Sequence, residues 1–519
     1  DGNVQITRDG GATWTNVAKN IKGVPAGSWI NQIKASRYNK GEAVAVINNY
    51  RRFDFKPYLM RTKDYGKTWT PMASENQVFG YALSFVQDPV EPKLMFFGTE
   101  HGLYISIDEA KTWTKFNNGY PSVSTMDLVI QEREADLVIG TFGRAVYVLD
   151  DIRPLRVLAA KGQEAVLTAD VTAIDAPTSY MVSTRSAAGP ANPGSSTFQG
   201  ENRQNGAAVI KFFAKKPAMP ERRGGGEAGA GRSARQGAGA PPAFAGGGPG
   251  GRGGRGGAPG GGGPRGPQAK VEIFDLAGNL IRTLETPVED GLNTVSWRYD
   301  ENPPETEEEP AIPEGVPAQF ARFFRRSGAP ALPGVYNVKV TVGNSSDESQ
   351  VEILMDPRES YSMDALIARR DALRGIGQLS ADVTVLGSKL TGDMGIIDKV
   401  IDALKGKRSE EANALRTKSE EVKKQMKELS DAIGSGGGFR FGGGGNDSDI
   451  VPLNTKISNL SRTVSGSFDA PGASVNQDLA NYRTEYNDLK AKVNEWYAAN
   501  WDAYLGSVKT VDFSPIGGN

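Results

Sequence analysis

Three eight-residue stretches decide how the first part of this chain is read: TRDGGATW at residues 7–14, TKDYGKTW at 62–69 and SIDEAKTW at 106–113. They align as Thr7-x-Asp9-x-Gly11-x-Thr13-Trp14, Thr62-x-Asp64-x-Gly66-x-Thr68-Trp69 and Ser106-x-Asp108-x-Ala110-x-Thr112-Trp113. Each follows a short β-type run (NVQI, YLMR, GLYI) and leads back into extended chain, so each reads as a hairpin turn. The Asp can accept hydrogen bonds from backbone N–H groups just ahead of it. The Gly permits positive φ, the β-branched Thr re-enters a strand, and the Trp offers a large face to bury between sheets. Ala110 stands where the other copies have Gly, which predicts a strained or altered third turn.

Counted Asp to Asp, the copies recur at intervals of 55 and 44 residues, the length of one four-stranded sheet. Sheets repeating at that period predict a partial β-propeller of about three four-stranded blades over residues 1–156. The runs EAVAVINNY, ALSFV, KLMFFGTE and DLVIGTFGRAVYVLDD supply further strands. Propellers need at least about four blades to close. The reading therefore places the start of the chain inside a domain and calls for upstream blades, from the same parent chain or another, as partners.

The S/T-x-D-x-G-x-T-W box resembles the Asp-box, or bacterial neuraminidase repeat, of sialidases, xyloglucan-cleaving endoglucanases and sortilin-like receptors. TFGRAVYVLDDIRPLR (141–156) is similar to the end of the last blade in large bacterial sortilin-like proteins labelled glycosyl hydrolases. The resemblance implies that the boxes lie on outer turns, away from a central binding face. It also implies a bacterial protein that is secreted, at the cell surface or periplasmic, with a peptide or glycan as ligand.

Composition narrows the chemistry. The 519 residues exceed one core, and a formal net charge of −1 points neither to nucleic acid nor to an anionic membrane. There is no cysteine and a single histidine, His101, which removes thiolate chemistry and makes a His-rich metal site impossible. No run approaches the roughly 18 apolar residues of a spanning helix. We expect no cofactor, no metal, no nucleic-acid partner and no membrane span.

Beyond Pro154 the sequence divides further. Residues 157–206 read as an irregular linker. Residues 207–356 read as an immunoglobulin-like β-sandwich, similar to the hook-cap-like module of bacterial secreted proteins, with a Gly/Arg-rich insertion at 217–268 and a Pro/Glu-rich insertion at 300–332. If the strand at 207–214 pairs with 270–276, the first insertion is one long hairpin loop; DLAGNLIRTL is expected to turn at Ala277-Gly278-Asn279. Residues 221–266 carry seven Arg and two Glu with one aromatic, Phe244, a composition of flexible surface loop rather than nucleic-acid binder. PAQFARFF reads as a short helix inside the second insertion. Residues 357–519 read as an antiparallel bundle of three or four helices with a Gly-rich connector at 434–449. Stripes such as Leu373, Ile376, Leu379, Val383, Leu386, Leu390 mark its core, as does the aromatic row Tyr482, Tyr486, Trp496, Trp501. Thr391-Gly392-Asp393 reads as a turn or kink. NDSD at 446–449 has oxygen ligands but not the spacing of a calcium loop.

The boxes are assigned shape rather than catalysis. Glycoside hydrolysis needs two carboxyls facing one sugar ring, and Asp9, Asp64 and Asp108 sit on separate turns. A sialidase would need an arginine cluster and a Tyr/Glu pair, and no residue set matches them. No catalytic or ligand-binding residue is assigned. Arg51, Arg52, Asp54, Glu100, Asp150 and Asp151 are charged groups near strand ends, and His101 reads as a loop residue. The favoured function is an extracellular or cell-envelope binding and scaffold protein. One alternative is a glycoside hydrolase, sialidase- or xyloglucanase-like, whose catalytic residues lie mainly on upstream blades. The other is a structural assembly subunit.

Overall fold

The computed structural model describes residues 2–182, 206–217, 266–306, 328–434, 451–511 and 513. Most of the Gly/Arg-rich insertion, the PAQFARFF segment and the connector with NDSD lie outside them. The chain is a mixed β and α protein: a series of small sheets, antiparallel except for one parallel pair between Ser179–Met181 and Ser345–Met355, then a helical region.

A hairpin of β1 (Gln5–Ile6) and β2 (Thr15–Asn16) comes first. Two four-stranded meanders follow. The first is β3 (Trp29–Ala35), β4 (Ala43–Asn49), β5 (Asp54–Thr62) and β6 (Thr70–Pro71). The second is β7 (Ala82–Gln87), β8 (Met95–Thr99), β9 (Gly102–Ser106) and β10 (Thr114–Phe116). A third sheet has three strands, β11 (Thr125–Gln131), β12 (Asp136–Thr141) and β13 (Val146–Leu149). The second and third boxes lie between the third and fourth strands of their meanders, and the first joins β1 to β2.

Successive sheets pack through the strands that open them. Asn31 donates to Leu83 O, Gln32 Oε1 accepts from Phe85 N at 2.9 Å, and Ser84 Oγ donates to Thr125 O at 2.9 Å. Apolar cores fill the spaces between sheets: Val46, Leu59, Phe85 and Phe97 in one, Phe96, Leu103, Leu128 and Leu137 in the next. The approach is tightest at Gly98, where an added Cβ would meet Ser84 Oγ and lie 2.6 Å from Thr125 O.

Residues 157–206 do not form an irregular linker where they are described. They hold α1 (Arg153–Lys161, which begins before them), α2 (Gln163–Thr168), β14 (Val171–Ala173) and β15 (Ser179–Met181). Helix α1 is pinned by Arg156, whose guanidinium bonds both oxygens of the buried Asp88 carboxylate at 2.8–3.1 Å. The two strands find partners far along the chain, which a local reading of 157–206 had no means to see.

Two further sheets share one core. Sheet β14-β16-β19 includes β16 (Ala208–Ala214) and β19 (Gly291–Trp297). The other, ordered β15-β21-β20-β17-β18, adds β17 (Gln268–Phe274), β18 (Leu280–Pro287), β20 (Gly334–Val342) and β21 (Ser345–Met355). The pairing of 207–214 with 270–276 does not form: β16 pairs with β14 and β19, while β17 pairs with β18 and β20. Both strands turn alternate apolar residues into the shared core (Ile210 and Phe212, Val271 and Ile273), so their patterns look alike although they belong to opposite sheets. The turn at Ala277-Gly278-Asn279 is present, with Gly278 at φ 87°.

The helical region comprises α3 (Met363–Ala403), α4 (Glu410–Ile433), α5 (Leu453–Ser465) and α6 (Ala473–Lys509). Ile376, Leu379, Val383 and Leu390 join Leu415, Met426, Ile457 and Tyr504 in its core, with Tyr482, Tyr486, Trp496 and Trp501 packed against it. Of the turn or kink expected at Thr391-Gly392-Asp393, the turn does not occur. Helix α3 runs through it, Thr391 Oγ1 bonds Gly387 O at 2.9 Å, and Asp393 accepts from Tyr497 Oη at 2.6 Å. One helical glycine costs only about 1 kcal/mol relative to alanine, which tertiary packing offsets.

Gly98→Ala is expected to lower unfolding free energy by about 1–3 kcal/mol, because neither Ser84 nor the Thr125 backbone can retreat. Denaturant titration of the purified variant checks this, and an unchanged midpoint would contradict the packing described.

Candidate functional site

Each box is a closed hydrogen-bond set within eight residues. In the second copy, Thr68 N and Thr68 Oγ1 donate to the two oxygens of Asp64 at 2.8 and 2.6 Å, and Thr62 Oγ1 donates to Asp64 at 2.9 Å. The same Thr62 hydroxyl accepts from Gly66 N at 2.8 Å. The first copy repeats this with Thr7, Asp9, Gly11 and Thr13, the third with Ser106, Asp108, Ala110 and Thr112. Two successive left-handed residues reverse the chain in every copy: Gly10 and Gly11, Tyr65 and Gly66, Glu109 and Ala110. Ala110 thus sits at φ 65°, in a region that disfavours a Cβ.

The hydrogen bonds set the titration of these carboxyls. Those from Thr13 lead in drawing Asp9 down to about 2, and those from Thr68 do the same for Asp64. At Asp108 burial is the largest single influence and acts upward, yet the bonds from Thr112 and Ser106 together bring the net shift downward. Among the described residues each carboxylate bonds only within its own turn, so the three do not converge on a shared substrate.

The tryptophans behave unequally. Trp69 packs with Val4, Val17 and Ile21 of the preceding hairpin. Trp113 packs against Met72 and Val78 of the preceding sheet, and its indole N–H reaches Met72 O at 2.8 Å. Trp14, expected to be buried, is 60% exposed, because among the described residues no sheet lies on that side of its hairpin.

The charged residues noted near strand ends separate. Asp151 is buried at the junction with the later sheets, bonding Lys211 Nζ at 2.9 Å and Arg153 at 2.8 Å. Burial pushes its pKa up, but Lys211 and Arg153 outweigh that and the net shift is downward. Asp150 follows β13 at the same end.

Arg51, Arg52, Asp54, Glu100 and His101 gather at the opposite end of the sheets, on the turns β4–β5 and β8–β9. There an aromatic surface runs from sheet to sheet. Tyr50 stacks on Tyr81 with ring centroids 4.6 Å apart, and Phe79 stacks on His101, also at 4.6 Å. The Arg51 guanidinium lies 4.6 Å from the Trp29 ring. Glu100 N bonds Tyr81 O at 3.2 Å, Ser124 Oγ bonds Glu100 O at 3.2 Å, and Phe142 N bonds Ser124 O at 3.0 Å, which carries the surface to the third sheet. Trp29, Phe53, Phe55, Phe79 and Phe142 are all exposed there, Phe53 by 88%. Asp54 is tied down by Tyr58 Oη at 2.8 Å and Asn49 Nδ2 at 3.3 Å. The aromatics were missed in the sequence; the run YRRFDF at 50–55, rings and charges crowded into one turn, was the signal for them.

Two cavities lie elsewhere. One of about 260 Å³ is lined by Lys34, Arg37, Tyr38, Asp88 and Glu132, but Arg37 pairs with Glu132 and Asp88 with Arg156. Another of about 670 Å³ lies between β18, β20 and α3, where Arg374 pairs with Glu301 and Arg370 with Asp371. Among the described residues no group of acidic, histidine or cysteine side chains could hold a metal ion, and no helix is long and apolar enough to cross a membrane.

No family model matches the chain, and no curated protein matches it. Among solved structures it is similar to the crystal structure of the Niastella koreensis GH74 enzyme (NkGH74), at 16% identity over 36% of this chain and 28% of that one, with a TM-score of 0.21. So faint a likeness carries neither fold nor activity to this chain.

Two outcomes are expected for the boxes. Ala110→Gly should raise stability by about 1 kcal/mol, read by thermal melting, since it relieves a left-handed alanine. Because the folded pKa values of Asp9 and Asp64 are depressed, their stabilisation is present above the ordinary carboxylate value of 3.8 and is lost as pH falls toward about 2. Asp64→Asn should therefore melt lower at pH 7 and lose less stability than the parent between pH 4 and pH 2. Parallel melting curves across that range would refute the assignment.

Proposed function

We propose that residues 1–156 are Asp-box blades of a β-propeller, that the two later β-sheets form an immunoglobulin-like module, and that the whole is a secreted or cell-envelope binding and scaffold protein of bacterial type. Its ligand, a peptide or a glycan, lies across the aromatic face. The observation that carries the reading is the exposure of Trp29, Phe53, Phe55 and Phe79 together on neighbouring sheets. Aromatic rings left in water lose the stabilisation of burial, and a ligand with an apolar face restores it. The box carboxylates, bound within their own turns, take no part. The immunoglobulin-like and helical modules position the propeller or engage further partners.

The test is a glycan and peptide array probed with the full chain, followed by a hydrolysis assay on every hit. Binding without turnover is expected, together with loss of at least tenfold in affinity for the Trp29→Ala/Phe53→Ala double variant. Turnover of a bound glycan would instead favour the glycoside hydrolase, and full retention of binding by the double variant would move the ligand off this face.

A further inference from the structure

The β4–β5 turn has features that a general apolar contact does not require. Phe53 sits at φ 60°, a left-handed backbone that bulky side chains rarely adopt, and this geometry leaves its ring almost entirely in solvent. Before it stand two arginines, both exposed. Among the described residues neither pairs with a carboxylate. Arg51 lies over Trp29 and bonds Tyr50 Oη at 3.3 Å, and Arg52 donates only to Ala26 O at 2.8 Å. The one acidic group in the turn, Asp54, is engaged by Tyr58, Asn49 and the Lys56 N–H. The turn thus presents two planar guanidinium groups without a carboxylate partner among the described residues, that of Arg51 lying over the exposed Trp29 ring.

A guanidinium fork matches a carboxylate, and its strength rises when aromatic surface excludes water around it. Arginine clusters also read acidic peptides, but a uronate carries a carboxylate and an apolar ring face within one unit, which suits guanidinium groups on the same turn as the exposed Phe53 ring. We propose that this turn binds an acidic sugar: a uronate unit of a polysaccharide stacks its ring on Phe53 and places its carboxylate on Arg51 and Arg52. The proposal rests on the reading of this face as the ligand face and narrows the ligand to a carboxylated glycan.

Titration calorimetry of the full chain with four probes tests it: a β-1,4-linked mannuronate hexamer, the same hexamer with its carboxyls reduced, a sulfated neutral hexamer, and hexaglutamate. The uronate hexamer should bind at least tenfold more tightly than the other three. Arg51→Gln should weaken it by roughly ten- to hundredfold, the effect of losing one charged hydrogen-bonding group, while leaving the reduced hexamer unaffected. Phe53→Ala should weaken both hexamers, and melting curves confirm that both variants fold. Equal affinity for uronate and reduced hexamers, or no effect of Arg51→Gln, overturns the acidic sugar while Phe53→Ala still reports the ligand face. Equal binding of the sulfated hexamer or of hexaglutamate also overturns it, leaving a general anion site. If no hexamer binds, the acidic sugar is overturned and the ligand face is judged by the array and its double variant; if a hexamer binds and Phe53→Ala leaves its affinity unchanged, the ligand lies off this face and both readings fall.

Discussion

The structure of the first 150 residues depends on one small arrangement: a carboxylate that takes both the backbone N–H and the hydroxyl of the threonine four residues ahead. In each box this holds two consecutive residues in left-handed backbone, which an L-amino acid otherwise resists. The reversal returns the chain as an outer strand and sends a tryptophan toward the neighbouring sheet. Where that sheet is present, at Trp69 and Trp113, the indole is buried and ties one sheet to the next. The box therefore acts twice, as a local turn and as the origin of a contact between sheets. Its carboxylate is kept ionised by the bonds that make it structural, which leaves it nothing to offer a substrate.

The opening strands of the sheets carry the other half of the organisation. Gln32, Ser84 and Asn31 bridge backbone groups of adjacent sheets, so polar side chains replace ladder hydrogen bonds where one sheet ends and the next begins. Gly98 is the point where this approach leaves no room for a side chain. The ends of these strands also bring the turns of neighbouring sheets together, and the aromatic face is built there.

Beyond the first sheets, the junctions are charged and buried. Asp88 with Arg156 and Asp151 with Lys211 fasten α1 and the later sheets to the earlier ones. In the helical region Arg369 is buried with no carboxylate partner among the described residues; it donates to Val464 O and Ser465 O at 3.1 Å, at the C-terminal end of α5. The carbonyls left unpaired there carry partial negative charge and take the place of a counter-ion.

The turns at 7–14, 62–69 and 106–113 were legible in the sequence because their hydrogen bonds close within eight residues. The stripes of α3, α4 and α6 were legible because helical period depends only on spacing. Trp14 could not be told from Trp69 and Trp113, since its neighbour, not its motif, decides its burial. The partners of 208–214 and the continuity of α3 through Gly392 were hidden for the same reason: local patterns repeat on opposite sheets, and packing outweighs the cost of one glycine. The candidate face was the least legible part. Trp29, Tyr50, Tyr81, Phe79 and His101 are scattered over more than seventy residues. Ring stacking and backbone bonds between separate sheets bring them together, so the sequence by itself determined the turns and the periodic cores, and only the tertiary structure decided that those rings form one surface.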